Sequence, residues 1–152
     1  MTLYYEDLSV GQKFTTPGRT VTEADVVGFA ALSGDWNQIH TDAEFAGDTA
    51  YGQRVVHGLF GLSMMIGLFE RLGIFSGSAI AMLGIRDWRF TAPIFIGDTL
   101  HGEMEIVSLR LTSKGDRGIV DRHYSLVNQR GEVTQEGDIG LMIRSSARAA
   151  AA

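Results

Sequence analysis

Gly58-Leu59-Phe60-Gly61-Leu62-Ser63-Met64-Met65-Ile66-Gly67-Leu68-Phe69-Glu70-Arg71-Leu72 is the stretch on which the fold turns. Its apolar residues, Leu59, Phe60, Leu62, Met64, Met65, Ile66, Leu68, Phe69 and Leu72, occupy nearly every side of a helix, and a helix apolar all round must be enclosed. It is too short to span a bilayer, which takes about 20 apolar residues.

Gly73 ends this helix, and beyond it four segments read as strands: Ala79 to Phe90, Thr99 to Leu111, Ile119 to Asn128 and Val133 to Ile143. The turn signals Gly97-Asp98, Lys114-Gly115-Asp116 and Gln129-Arg130-Gly131 fall between them. In the last strand Val133, Ile139, Leu141 and Ile143 share one face and Thr134, Glu136, Asp138 and Arg144 the other, so one face meets a core. The simplest packing of one enclosed helix with successive long antiparallel strands is a curved sheet wrapped around that helix. This is the hotdog arrangement, in the α+β class.

Upstream lies a polar, glycine-punctuated start with a strand-like run, Gln12 to Thr16, before the Pro17-Gly18 turn. Thr22 with Asp25 resembles a capping box, opening a short helix with the apolar stripe Val26, Val27, Phe29, Ala30 and Leu32. Ser33-Gly34 stops it, so Asp35 to His40 lie in a tight connection. Thr41 and Glu44 repeat the capping pattern, and a second short helix is expected over Asp42 to Ala46. These short helices form an overhang before the central helix. Residues 1–145 read as one domain and residues 146–152 as a disordered tail.

Composition sets outer bounds. With 45% hydrophobic and 20% charged residues the chain has the balance of an ordinary soluble globular protein. A net charge of −5 without any block of lysine or arginine argues against nucleic acid and anionic membrane as partners. Cysteine is absent, which removes disulfides, a thiolate nucleophile and Cys-type zinc sites and suits a reducing compartment. The start, Met1 to Asp7, lacks the basic and apolar runs of a signal peptide, so the expected location is cytoplasmic.

The chemistry-bearing stretch is Phe29 to His40, ending Gly34-Asp35-Trp36-Asn37-Gln38-Ile39-His40, followed by Val55-Val56-His57-Gly58. An aspartate after glycine at a helix end is commonly only a turn former, and Asn37 is more often structural than catalytic. Asp35, His40, Asp42 and His57 lack the close His-x-x-x-His spacing of a zinc site, so no metal is expected. His101 and His123 read as surface residues.

The stretch resembles the hydratase signature of MaoC-like proteins, in which Gly-Asp-x-Asn-Pro-x-His is followed by a His-Gly that opens the central helix. The likeness extends to the Tyr-Tyr-Glu-Asp start, Thr-Val-Thr-Glu-Ala-Asp, and Trp88-Arg89-Phe90-Thr91-Ala92-Pro93 ahead of Gly97-Asp98. Gln38 stands where the family usually has proline, and the loop loses the stiffness proline would lend it. The resemblance implies reversible hydration of a 2-enoyl thioester to the (R)-3-hydroxyacyl form, with a water held between Asp35, the leading base, and His40.

It further implies that Asn37 steadies the loop. The free N–H groups and dipole at the first turn of the central helix favour the developing negative charge, which makes Gly58 the expected donor to the thioester oxygen, with His57 beside it either supporting that site or serving as a helix cap or partner of a buried carbonyl. Trp36 is a candidate for lining the acyl channel or anchoring the loop, and Arg86, Arg89, Lys114 and Arg117 for holding phosphates. The substrate would be a thioester of coenzyme A or a carrier protein, with no separate cofactor. A homodimer or higher homo-oligomer, with sheets paired edge to edge, is also implied. Two alternatives stand beside this reading: an acyl-CoA thioesterase on the same scaffold, and a non-catalytic acyl-thioester-binding subunit.

Overall fold

Strand β5, Arg117–Val127, alternates half-buried and buried residues along nearly its whole length, as a strand with one face on a core must. The computed structural model describes residues 2–146. A 3-10 turn at Tyr5–Asp7 precedes β1 (Lys13–Thr15) and β2 (Arg19–Thr20); helices α1 (Glu23–Ser33), α2 (Gln38–Thr41), α3 (Ala43–Gly47) and α4 (Gly58–Glu70) follow. Then come β3 (Ala79–Phe90), β4 (Thr99–Leu111), β5 and β6 (Val133–Arg144). The sheet order is β1-β4-β5-β6-β3, with β2 also pairing with β4, and every pairing is antiparallel.

Helix α4 lies in the hollow of this sheet. Met64, Met65, Leu68 and Phe69 pack with Leu100, Met104 and Ile106 of β4, Val120, Tyr124 and Leu126 of β5, and Ile139, Leu141 and Ile143 of β6. Each such side chain contributes about 1.5–3 kcal/mol on leaving water. The approach is close at Gly102, where a Cβ would sit 2.6 Å from Phe69 Cε2, so the strand carries no side chain there. Enclosure of the helix is incomplete within one chain. Leu59 is 61% exposed, and Ser63, Gly67 and Glu70 continue its solvent-facing stripe, because the sheet covers one side of the helix and the overhang only part of the other.

Other differences from the expected pattern have local causes. Thr134 is buried and Val133 exposed, the reverse of the expected faces, because a register shift pairs Leu126 with Gln135 but Val127 with Val133. The inserted Thr134 turns inward and its hydroxyl donates to the Leu126 carbonyl at 2.9 Å. In α1, Val26 and Ala30 are buried, but Val27 and Leu32 face out, since at 100° per residue they fall off the inward side. The α1 capping box at Thr22 and Asp25 and the left-handed Gly34 (φ 78°) that ends the helix agree with the sequence pattern. The second cap does not: Asp42, rather than Thr41, accepts the Phe45 N–H at 3.0 Å and opens α3.

At the far end of the chain, Ser146 N and Oγ both donate to Glu6 Oε2 at 2.8 Å. The tail expected from residue 146 otherwise lies outside the described residues. Among the described residues no helix is long and apolar enough to cross a membrane.

Candidate active site

Val55 and Val56 assemble the site. The Val55 N–H donates to the Ile39 carbonyl at 3.1 Å, Val55 forms an isolated bridge with Phe95, and the Val56 N–H donates to the Ile94 carbonyl at 2.8 Å. This short extended piece therefore ties the α2 turn on one side to the segment after β3 on the other, and delivers His57 to the start of α4.

His40 sits in α2 rather than in an irregular connection. Asn37 caps that single turn, its Oδ1 accepting the Ile39 N–H at 3.1 Å. The His40 Nδ1 lies 2.7 Å from the Val55 carbonyl. A carbonyl only accepts, so Nδ1 carries a proton, and it is Nε2 that faces Asp35 and can act as acceptor in the neutral form of the ring. The Asp35 Oδ2 is 3.8 Å from that Nε2, too far for a direct hydrogen bond. Two acceptors at this separation suit one water that donates to both. The Asn37 N–H donates to Asp35 Oδ1 at 3.2 Å, so Asn37 steadies both members of the pair. The His40 side chain is 15% exposed and the Asp35 side chain 52%.

His57, 2% exposed, stacks on His40 with ring centroids 3.9 Å apart and planes 28° apart. Its Nε2 donates to the Asp35 carbonyl at 2.9 Å, and its Nδ1 is buried with no hydrogen-bond partner among the described residues. Donor atoms of Asp35, His40 and His57 lie within 4.8 Å of one another, a spacing that could hold a cation. Lone pairs of imidazoles lie in the ring plane, however, and two rings stacked face to face aim them side by side rather than at a common point. The arrangement is better suited to handling protons.

His40 opens onto a cavity of about 410 Å³ whose lining includes Tyr51, Gly58, Phe90, Pro93 and Gln135. The Gly58 and Leu59 N–H groups, at the first turn of α4, have no acceptor among the described residues, so this end of the helix offers donors to an anionic oxygen. A Cβ at Gly58 would stand 2.7 Å from Phe90 Cε1. The Gln135 side chain donates to the Gly58 carbonyl at 2.9 Å and accepts from Trp88 Nε1 at 3.3 Å, bracing the helix start against β6.

The candidates from the sequence thus divide. Asp35, Asn37, His40, His57 and Gly58 come together, His40 and Gly58 on the cavity lining and Asp35, Asn37 and His57 directly behind them. Trp36 is 56% exposed and does not line the cavity. Arg86 is paired with Asp121 at 2.8 Å, Arg89 with Glu136 at 2.9 Å and Arg117 with Asp116 at 2.6 Å, and these guanidiniums also lie outside that cavity. Val55 and Gln135 went unread. A backbone carbonyl leaves no trace in a sequence, and Gln135, a polar residue, sits on the inward phase of β6 that it shares with Ile139, Leu141 and Ile143.

An antiparallel sheet folded round one helix, with a carboxylate and an imidazole 3.8 Å apart next to the cavity at the helix start, describes a hotdog fold carrying a candidate acid/base pair. Residues 7–126 match the MaoC like domain, and the chain belongs to that family. It is 40% identical over 127 residues to protein MaoC of Klebsiella aerogenes, covering 84% of this chain and 37% of that protein. The (R)-specific enoyl-CoA hydratase of Aeromonas caviae is 37% identical over 133 residues, 88% of this chain and 93% of that enzyme. The chain therefore spans just over a third of the first relative and nearly all of the second. A solved Archaeoglobus structure, described as a monoamine oxidase regulatory protein, superposes with a TM-score of 0.88 at 36% identity over 95% of this chain and 96% of its own. Relatives named as hydratases and dehydratases support a hydro-lyase role at the level of the family.

Proposed function

We propose that this chain reversibly hydrates a 2-enoyl thioester of coenzyme A to the (R)-3-hydroxyacyl thioester. The observation that carries the reading is the Asp35–His40 pair, 3.8 Å apart, with His40 held by Val55 in the tautomer that leaves Nε2 free to accept. A water donating to Asp35 and to His40 Nε2 turns its own lone pair toward C3 of the enoyl group. Asp35 takes a proton as that oxygen attacks, and the proton count closes when the pair returns one to C2. Charge gathered on the thioester oxygen meets the free N–H groups of Gly58 and Leu59. Only protons and the oxygen of water move, so the reaction calls for no cofactor beyond the thioester's own coenzyme A.

The free edge of β3 supports a homodimer. Ile80, Met82, Leu83 and Ile85 there are 40–56% exposed, and pairing with a second copy would cover them. The substrate and the cysteine-free chain suit a cytoplasmic setting.

The test is loss of the conjugated-enoyl absorbance with purified protein. Asp35→Asn and His40→Gln should each cut turnover by about 10²–10⁴-fold with the melting temperature kept. Unchanged turnover removes the assignment. Release of free thiol in place of hydration would make the chain a thioesterase.

A further inference from the structure

The core-facing positions of β5 are Gly118, Val120, Arg122, Tyr124 and Leu126. Arg122 breaks this series: its guanidinium, on a residue 6% exposed, lies on the side that packs toward α4. Its Nε donates to the Ile139 carbonyl at 3.3 Å, and its Cζ lies 5.7 Å from the Phe75 ring and 5.2 Å from the Tyr124 ring. Among the described residues no carboxylate forms an ion pair with it, Glu70 and Asp121 acting on it only from farther off, and its two terminal nitrogens have no hydrogen-bond partner. Arg86, Arg89, Arg117 and Arg130, by contrast, each rest on a carboxylate. A guanidinium cannot shed its charge at ordinary pH, and these terminal nitrogens, which face a cavity rather than protein acceptors, are left for a partner from outside the chain.

Both Arg122 and Tyr124 line a cavity of about 230 Å³ at the C-terminal end of α4, with apolar walls from Ile66, Phe69, Phe75 and Leu141. The Tyr124 hydroxyl also has no hydrogen-bond partner among the described residues, and burial pushes it up to about 12, so it remains a donor. Two donors therefore meet in an otherwise greasy hollow, a combination that fits a carboxylate on an apolar stem. Glu70, exposed on the same lining, also acts on Arg122 through space, so a carboxylate seated in the hollow must reach the guanidinium and the Tyr124 hydroxyl more closely than Glu70 does.

One wall of this hollow belongs to β3. The Arg122 cavity borders residues 79–82 of the strand, and the cavity at His40 borders Phe90 at its opposite end. A second copy joined antiparallel through this free edge, with its two-fold axis at the strand's middle, sets Ala79 of one copy opposite Phe90 of the other. We propose that the Arg122 cavity receives the far end of the acyl group bound at the active site of the second copy, and that Arg122 and Tyr124 select a 2-enoyl thioester whose acyl chain ends in a carboxylate. The inference rests on the hydratase and dimer reading above.

The test compares 2-enoyl-CoA substrates of equal chain length ending in a methyl group or a carboxylate. Wild type should favour the carboxylate by about tenfold or more in kcat/KM, and Arg122→Met should lower that substrate about 100-fold while leaving the methyl-ended one unchanged or improved. Arg122→Lys, which keeps the charge and loses the fork, should fall between. Preference of the wild type for the methyl-ended substrate, or an equal loss on both in Arg122→Met, overturns the proposal. Calorimetry with a saturated carboxylate-ended acyl-CoA reads the subsite without turnover: its affinity should fall in Arg122→Met even if no enoyl substrate is hydrated, an outcome that would sink the hydratase reading alone. Free glutarate is the control. If it binds at Arg122 and the acyl-CoA does not displace it, the cavity takes free anions and the acyl assignment fails.

Discussion

Substituting Gly58 by alanine should separate catalysis from stability. The new Cβ would lie 2.7 Å from Phe90 Cε1 and 3.0 Å from Cδ1, against the roughly 3.4 Å at which packing becomes ordinary, so the ring must retreat by about 0.7 Å. Phe90 is 56% exposed and can do so cheaply. Alanine is also the better helix former, by about 0.5–1 kcal/mol in a helix interior and less at the first turn. The two terms nearly cancel, and the melting temperature should move by only a few degrees. Activity should not escape, because the methyl group occupies the approach to the Gly58 N–H and the displaced ring enters the cavity that both residues line. Loss of one oxyanion donor costs about 10²–10³-fold in kcat. Enoyl-CoA hydration kinetics beside thermal melts check this, with Gly67→Ala as control, since nothing lies within 4 Å of a Cβ there. If Gly58→Ala hydrates within about twofold of wild type, the helix start does not receive the thioester oxygen.

Three other perturbations probe what surrounds the site. Gln135→Leu strands the Trp88 indole N–H and removes a donor from the Gly58 carbonyl, and should cost about 1–3 kcal/mol in urea unfolding together with a rise in KM. Met65→Ala, at a position 0% exposed against the sheet, should cost about 2–5 kcal/mol in the same assay with KM little changed. Burial pushes the Glu6 carboxyl up, but the Ser145 hydroxyl and the Ser146 N–H and hydroxyl outweigh it and hold it at about 2, below its ordinary 4.5. A depressed carboxyl stabilises the fold above its unfolded value, so that contribution is present above about pH 4.5 and fades as pH falls toward 2. Melting temperature followed across this window should drop more steeply in wild type than in Glu6→Gln; parallel curves would show that the tether carries no such linkage.

Much of the fold was legible because its governing signals are periodic. The apolar run of Gly58 to Leu72 and the alternation in the later strands announce a helix on a sheet, and Ala79–Phe90 and Thr99–Leu111 begin and end where the turn residues say. Local capping chemistry likewise marked α1, since Thr22, Asp25 and Gly34 act within a few residues of one another. The α2 turn, Gln38–Thr41, lies where the sequence suggests only a tight connection, and α3 begins one residue later than expected because adjacent Thr41 and Asp42 are both able caps and Asp42 is the one that accepts.

The site was half legible. Residue types and the Gly-Asp to His spacing nominate Asp35 and His40 from the sequence, because a short turn can bring together only what lies close along the chain. Their working geometry was decided elsewhere: the His40 tautomer by the Val55 carbonyl, the Asp35 carbonyl by His57, and the helix start by Gln135. Arg122 belongs to the same class, an unremarked charge in a strand until the alternation of β5 turns it toward α4. Periodicity and capping act through neighbours in sequence and can be read along the chain; contacts between residues 15 to 77 positions apart exist only once the sheet has closed over the helix.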